Sequence, residues 1–372
     1  MDRAKGEITF DVLNGLRGIA AIAVVNTHLQ TYFAGYYTRN IGLAVDFFFL
    51  LSGFVLAHAY EARLRAGFGF VRFAAARAIR LYPLYLIGLL IGAAACWFGW
   101  SFAGPQHFAV TLATGVVMLP PPPSLSANGY NLFPFDFAAW SLFFELAANL
   151  LYGLIAPRMS NRVLGGLLVL SLLGLVAAGA GFGTLDLGSQ PKQVLGGLAR
   201  VMFSFFAGVA LYRLWLKRPV KINMPPVLLF GLLIAPLLFL PTGKEAGTAV
   251  WIYDFAVITL YFPVLLSLAA QSRGNRFWTW ASAVLGAISY PLYVLHVPIW
   301  AVLQIRWDKA LMHAAPWSGL VMIACLLPVC WAAETFVDVP LRRLLNRRLL
   351  GRRSGGHRSG LSLAEQEQAL AK

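Results

Sequence analysis

Apolar segments of about twenty residues recur along the whole chain, and they restrict the fold more than any other feature. Hydrophobic residues make up 59% of the 372 residues and charged residues only 12%. A helix needs about 20 predominantly apolar residues to cross the hydrocarbon core of a bilayer. The segments are continuously apolar rather than alternating, which disfavours a transmembrane β-barrel. The sequence therefore predicts an all-α polytopic membrane protein.

About ten of these segments are long enough to span a bilayer, and we expect one transmembrane helix in each. They lie at 12–33, 41–60, 81–100, 136–155, 163–182, 195–216, 225–240, 250–270, 281–302 and 317–335. A weaker apolar stretch at 107–119 is too short to be counted with them.

The basic residues predict how the spans are oriented. Arg and Lys are concentrated in the region after residue 341 and in the loops 61–80, 156–162, 213–221 and 271–276. If the stretch 107–119 does not cross, all of these segments lie on one side with the N-terminus, as the positive-inside rule requires. We therefore predict both termini to be cytoplasmic, and a re-entrant or surface segment within the outer loop 101–135.

This distribution also explains the formal net charge of +15. The sequence predicts a single transmembrane domain, 1–341, followed by a basic cytoplasmic tail, 342–372, that would be attracted to anionic lipid headgroups. No nucleic-acid partner is expected, because the charge follows the membrane topology. The three cysteines lie in apolar segments without metal-ligand spacing, so they indicate packing rather than metal binding.

One ionisable pair lies inside the first apolar segment. Arg17 and His28 are 28 − 17 = 11 positions apart, which places them on nearly the same face of a helix. Their separation along the helix axis is about 16 Å. A buried charge is costly in lipid, so such a pair indicates function. Imidazole titrates near neutral pH, which makes His28 the candidate general base.

Two further segments carry polar residues that are candidates for the same site. Asp46 and Ser52 lie in the second span, and an isolated aspartate there must face protein or water. Trp140, Ser141 and Glu145 open the fourth span, where Glu145 is a candidate to orient His28. The structural alternatives are helix packing by the serines and a boundary or bridging role for the two carboxylates.

Arg77 and Arg80 share a helical face at the predicted cytoplasmic end of the third span. Guanidinium groups suit the bidentate binding of phosphate, although positive-inside charge alone also explains them. Tyr290 and His296 follow in the ninth span, where His296 either lines the same cavity or is a satisfied core histidine. No i, i+4 pair of histidines occurs, so we expect no metal site.

Five motifs occur in an order that resembles the acyltransferase-3 superfamily of bacterial integral-membrane O-acyltransferases. They are Arg17 with ten residues to His28, Val45-Asp46-Phe47-Phe48 to Ser52-Gly53-Phe54, Arg77-x-x-Arg80, Trp140-Ser141-Leu142 to Glu145, and Ser289-Tyr290 to His296. The resemblance extends over nearly the whole chain. It departs from the family pattern at Ala44, where glycine is frequent, and at Asp338-Val339-Pro340, where glutamate is common.

The resemblance implies a multi-pass enzyme of the bacterial inner membrane with no permanently bound cofactor. It implies an acyl-CoA donor, usually acetyl-CoA, that is met from the cytoplasm, and an acceptor hydroxyl on a cell-envelope or exported glycan. His28 would be the catalytic residue, with Asp46 and Glu145 as further catalytic candidates. Arg17, Arg77 and Arg80 would bind the donor.

Two other functions use the same residues differently. A proton-coupled transporter would use the buried Arg, His, Asp and Glu side chains as a relay, and inverted repeats with matched broken helices would support it. A membrane scaffold would only pair these charges. The sequence indicates neither the acceptor, nor acetyl over succinyl, nor the oligomeric state.

Overall fold

The computed structural model describes residues 10–38, 40–99, 102–218, 222–239 and 246–351, which are helical with no strand among them. The α-helices are α1 (Asp11–His28), α2 (Ile41–Arg65), α3 (Phe70–Gly99), α4 (Pro105–Val116), α5 (Ala139–Ile155), α6 (Asn161–Phe182), α7 (Val194–Lys217), α8 (Pro226–Leu238), α9 (Ala246–Ala256), α10 (Phe262–Ala269), α11 (Arg276–His313), α12 (Trp317–Ala332) and α13 (Val339–Leu345). Single π-helical turns join α9 to α10 and α12 to α13.

A helix occupies each of the ten predicted spans. Within the described residues, seven helices are long and apolar enough to cross a membrane. The other three predicted spans correspond to α5 and α8, which are apolar but shorter, and to the 18-residue α1, whose charges lower its hydropathy. The all-helical fold is confirmed, whereas the count of ten crossings and the placement of the termini stay predictions.

Helix α3, helix α11 and the last helical segment extend well beyond the predicted spans. Helix α3 starts eleven residues earlier than expected, so Arg77 and Arg80 lie inside a helix rather than in a loop. The last helical segment continues through α13 to Leu350, which places the predicted domain boundary at 341/342 within a helix. Residues 352–372 of the predicted tail lie outside the described residues. Internal prolines such as Pro83 and Pro298 do not end these helices, because neighbouring helices stabilise a kinked backbone.

Helix α1 lies along α11, and this is the most extensive helix–helix contact of the described chain. Small residues permit it. A Cβ atom on Gly18 would come within 2.5 Å of the Leu285 Cβ, and one on Gly286 within 2.7 Å of the Asn14 Cβ. Glycines of this kind let helix backbones approach closely where lipid provides no hydrophobic driving force between helices. The packing therefore fixes the register of α1 against α11.

The connections collect at two ends of the bundle. We call the basic face the end formed by connections 66–69, 156–160, 222–225 and 270–275, and the loop face the end formed by 29–38, 102–138, 183–193 and 314–316. Hydrogen bonds link connections within a face. Met224 N–H donates to Ser272 Oγ on the basic face (3.0 Å), and Leu132 N–H donates to the Ser189 carbonyl on the loop face (2.8 Å).

The long connection on the loop face folds back against the bundle. Helix α4 has 12 residues, about 18 Å, which is too short to cross a bilayer. It contacts α3, where the Tyr85 hydroxyl donates to the Gly115 carbonyl (2.6 Å). The segment 132–138 then lies against α3, where a Cβ on Gly92 would be 1.8 Å from the Phe135 carbonyl oxygen. We call this segment the inserted segment.

The orientation can be tested by cysteine labelling. In a background without Cys96, Cys325 and Cys330, a single cysteine at Asn128 should react with a membrane-impermeant thiol reagent in intact cells. A cysteine at Arg72 should react only after the cells are opened, because it lies on the basic face. The reverse pattern would show that the basic face points outward.

Candidate active site

His28 of α1 and His296 of α11, both candidate site residues from the sequence, contact each other on the loop-face side of the bundle. His28 is the last residue of α1, and His296 lies fully buried in the middle of α11. Their rings stack with centroids 5.0 Å apart and an interplanar angle of 6°, and Nδ1 of His28 is 2.6 Å from Nε2 of His296. The structure therefore places His28 against His296 rather than against a carboxylate.

The backbone determines which ring nitrogens carry protons. A carbonyl oxygen only accepts, so His296 Nδ1–H donates to the Leu292 carbonyl (2.9 Å). In a neutral His296 the other nitrogen, Nε2, is then an acceptor, and His28 Nδ1–H donates to it. This leaves Nε2 of His28 with its lone pair free of any hydrogen bond from the described residues. The pair thus presents one oriented basic nitrogen.

An aromatic side chain of the inserted segment contacts this pair. The Phe137 ring meets His28 edge to face at 4.8 Å, and Trp300 of α11 follows at 6.4 Å from Phe137. The Tyr293 ring lies 6.2 Å from His296, and its hydroxyl is 2.6 Å from Ser141 Oγ. Hence Ser141 holds Tyr293, one helical turn from His296, in place.

Arg17 is attached to α11 on the basic-face side of the histidines. Its Nε–H donates to Ser289 Oγ and its Nη2 to the Gly286 carbonyl, each at 2.8 Å. Both acceptors are neutral, and no carboxylate of the described residues lies within ion-pair distance of Arg17. Helix α11 therefore orients the Arg17 guanidinium, and no described carboxylate neutralises its charge by direct contact.

The other two predicted arginines each have an acidic neighbour. Arg77 lies 3.7 Å from Glu145, whose Oε1 also accepts from Ser52 Oγ at 2.7 Å. Glu145 therefore bridges α5 to α2 and α3. Among the described residues it makes no hydrogen bond or ion pair with His28, which contacts His296, and a role for Glu145 in orienting His28 stays a prediction.

Arg80 contacts the last helical segment. Its Nη1 is 3.3 Å from Asp338 Oδ2, and its guanidinium lies 4.9 Å from the centroid of the Tyr290 ring. Arg342 pairs with Glu334 at 2.6 Å and with Asp338 at 2.8 Å. Tyr290 in turn donates to the Leu81 carbonyl. Arg342, assigned to the tail by sequence, is 7% exposed and belongs to this network.

We call these side chains the arginine cluster, whose members interact electrostatically with one another. It comprises Arg17, Arg77, Arg80, Arg342, Glu145, Glu334 and Asp338. Arg17 contributes to this cluster a guanidinium whose hydrogen-bond partners among the described residues are neutral. The cluster can therefore offer an anionic group a cation near the basic face.

Asp46 forms a separate buried ion pair with Arg200, and Trp140 lies against the same guanidinium. Arg200 of α7 binds Asp46 with Nη2 at 2.8 Å and Nε at 3.2 Å, and it lies 5.4 Å from the centroid of the Trp140 ring. It also donates to the Leu187 and Gly42 carbonyls. Arg200 is fully buried. The structure thus gives Asp46 an ion-pair partner in α7, and its catalytic role stays an untested prediction.

Sequence reasoning missed Arg200 and Asp136. Arg200 lies inside the apolar segment 195–216, and the rule that singled out Arg17 applies equally to it. Asp136 precedes the Trp140 motif by four residues, but nothing in its sequence context shows that the inserted segment buries it. No group of three His, Cys, Asp or Glu side chains positioned for a metal occurs in the described part of the chain.

The fold and the site define a multi-pass helical protein with a basic histidine and a cationic cluster enclosed in its bundle. Comparison with known proteins identifies the class more closely. The acyltransferase domain family, acyltransferase-3, matches residues 10–335. The chain belongs to this family of membrane acyltransferases, as the five ordered motifs predicted.

A second comparison agrees. "Protein 2 in picA locus" of Rhizobium radiobacter is 39% identical over 188 residues, which is 46% of this chain and 96% of that protein. No solved structure gives a significant match.

A structural role for Asp46 can be separated from a catalytic one. Replacing Asp46 with Asn leaves the buried Arg200 with only the half-exposed Asp186, 3.6 Å away, as a counter-charge, which should destabilise the protein by about 3–5 kcal/mol. The double variant Asp46→Leu/Arg200→Met removes both buried charges and should recover much of that loss. Thermal unfolding in detergent measures this, with Arg162→Ala, at an exposed side chain, as the control. A catalytic Asp46 predicts a different result. Acyl-transfer activity per folded molecule would then be absent in variants of Asp46 and present in Arg200→Met.

Proposed function

We propose that this protein transfers an acyl group, acetyl in the simplest case, from acyl-CoA to a hydroxyl of a cell-envelope or exported glycan. The donor enters from the basic face, which is the cytoplasmic side of the bacterial inner membrane, and the acceptor from the loop face. The free Nε2 of His28, oriented through His296 and the Leu292 carbonyl, is the observation that carries this proposal.

The arginine cluster supports a CoA donor. Arg17 has a guanidinium whose hydrogen-bond partners among the described residues are neutral groups. An anionic donor would pair with this cation, and Arg77 and Arg80 add guanidinium groups that suit phosphate. Arg17 and His28 are about 16 Å apart along α1, a distance that an extended pantetheine arm covers.

In the transfer step, His28 Nε2 accepts the proton of the acceptor hydroxyl as its oxygen attacks the thioester carbonyl carbon. The carbonyl oxygen becomes an oxyanion in the tetrahedral intermediate. When the C–S bond breaks, the imidazolium of His28 returns the proton to the departing thiolate. The products are an ester and free CoA thiol, so no external proton donor is required.

His296 supports the ionic form of His28 in this step. Its Nε2 accepts from His28 Nδ1–H throughout, so the ring does not rotate as it gains and loses the proton at Nε2. The pair resembles the base and its orienting partner in a catalytic triad, with a neutral imidazole in place of a carboxylate. The site lies within the bundle, where surrounding side chains limit competing hydrolysis by water.

Removal of the base or of the central arginine tests the proposal directly. Labelled acetyl transfer from acetyl-CoA in native membranes should fall by about 10²–10⁴-fold in His28→Ala, because general-base catalysis is lost. Arg17→Ala should also lose activity, through donor binding. The matched controls are His313→Ala and Arg162→Ala, since both side chains are exposed. Full activity of a stably folded His28→Ala variant would contradict the mechanism, and solute transport without an acylated product would favour a transporter.

His296 provides a second, independent test. His296→Leu removes the acceptor for His28 Nδ1–H, so we expect a loss of up to about 100-fold, the lower end of a general base's contribution. His296→Gln retains a side-chain oxygen that can accept the same hydrogen bond and should keep more activity than the leucine variant. Equal activities of the two variants, at equal stability, would show that the hydrogen bond does not orient the base.

A further inference from the structure

Asp136 is a buried carboxylate that the proposed transfer step does not use. It lies in the inserted segment, two residues before the N-cap of α5, and is 1% exposed. Neither carboxylate oxygen makes a hydrogen bond of normal geometry among the described residues, although the Ala138 amide interacts with the carboxylate. None of the ion pairs among the described residues includes Asp136. Burial of an unsatisfied carboxylate is expensive, so its presence requires an explanation.

A small cavity on the loop face adjoins this carboxylate. Asp136 lines it together with Tyr85 and Thr111 and the aromatic rings of Phe133 and Phe135. Leu119 also borders the cavity and is half exposed, so the cavity reaches the surface of the loop face. Gly88 provides the space beside α3, where a Cβ would come within 3.8 Å of Asp136 Oδ2.

The neighbouring polar groups leave Asp136 available to a ligand. The Tyr85 hydroxyl donates to the Gly115 carbonyl, and Thr111 Oγ1, which accepts from the Ala127 amide, makes no hydrogen bond to Asp136. The carboxylate therefore needs a donor from outside. A metal ion is a poor fit, because no second carboxylate lines the cavity. A hydroxyl group is a good fit, since it donates to a carboxylate and tolerates the flanking aromatic rings.

The inserted segment connects this cavity to the paired histidines. Phe137, the next residue, contacts His28. A Cβ on Gly88 would lie 3.8 Å from Asp136 Oδ2 and 2.9 Å from the carbonyl oxygen of Val294, two residues before His296. A ligand held at Asp136 therefore lies on the acceptor side of the site.

We propose that Asp136 and this cavity form an acceptor subsite that binds one hydroxyl group of a polyhydroxylated acceptor while another of its hydroxyls reaches His28. This inference rests on the proposed function and deepens it, because it identifies the acceptor as a molecule with at least two hydroxyl groups. Asp136 is then a specificity-determining residue rather than the base.

The test compares transfer with donor binding in Asp136→Asn and Asp136→Leu. Acetyl transfer to the endogenous acceptor of native membranes, at saturating acetyl-CoA, should fall about 10- to 100-fold in Asp136→Leu, as expected for losing one buried hydrogen bond. It should fall less in Asp136→Asn, whose amide oxygen can still accept from a hydroxyl. Acetyl-CoA affinity of the purified protein should stay within twofold of wild type. The control is Lys192→Ala, an exposed side chain on the same face and outside the cavity.

Thermal stability distinguishes a ligand-binding role from a structural one. A carboxylate kept for a ligand costs stability in the free protein, so Asp136→Leu should unfold at the same or a higher temperature than wild type. A lower unfolding temperature with proportionate loss of donor binding would assign Asp136 to the start of α5 and overturn the inference.

Unchanged transfer in folded Asp136→Leu would overturn it as well, while the acyltransferase proposal would stand. Absence of transfer in wild-type membranes that contain the acceptor, with acetyl-CoA bound normally, would instead overturn the proposed function and this inference with it.

Discussion

The close packing of α1 on α11 is the contact on which the candidate site depends. Gly18 and Gly286 allow the two backbones to approach, and the resulting register brings Arg17 to Ser289 and His28 to His296. The two polar contacts thus belong to the same pair of helices. A shift of one residue along α11 would break both at once, because each depends on an acceptor at a fixed backbone position. The glycines therefore support the chemistry although they touch none of the reacting groups.

Two of the charged groups inside the bundle are arranged differently. Arg200 pairs with the buried Asp46 and, at 3.6 Å, with the half-exposed Asp186, and Trp140 and two backbone carbonyls also contact it. In the arginine cluster, by contrast, Arg17 has only neutral partners at hydrogen-bond distance among the described residues. In a medium that penalises isolated charge, the first arrangement holds helices together and the second is suited to a bound anion. Burial alone does not distinguish these two roles. The charge of the hydrogen-bond partners does, because Arg200 has a carboxylate partner and Arg17 has neutral ones among the described residues.

The sequence predicted the helical class, the position of each apolar segment and the family, since all three depend on composition and ordered motifs. It placed Arg77 and Arg80 in a loop, because basic charge was taken to mark the end of a span, whereas α3 continues through them. It named Glu145 as a candidate to orient His28, since triads usually contain a carboxylate, and that role stays untested. It left open whether His296 lines the same cavity, and the structure brings His296 into contact with His28. The rule that singled out Arg17, a charge inside an apolar span, would also have identified Arg200. It could not have identified Asp136, because the burial of Asp136 results from a loop that folds against Gly88 and Gly92, a contact between distant parts of the chain.

The site draws its partners from opposite ends of the chain. The residues that meet are separated by 268 positions for His28 and His296, 272 for Arg17 and Ser289, and 258 for Arg80 and Asp338. During synthesis the first three helices are made long before α11 and the last helical segment exist. Arg17 and Arg80 must therefore enter the membrane without the groups that later hold them. Translation must be almost complete before the histidine pair can assemble, so an interrupted nascent chain carries every arginine of the first three helices but no assembled site.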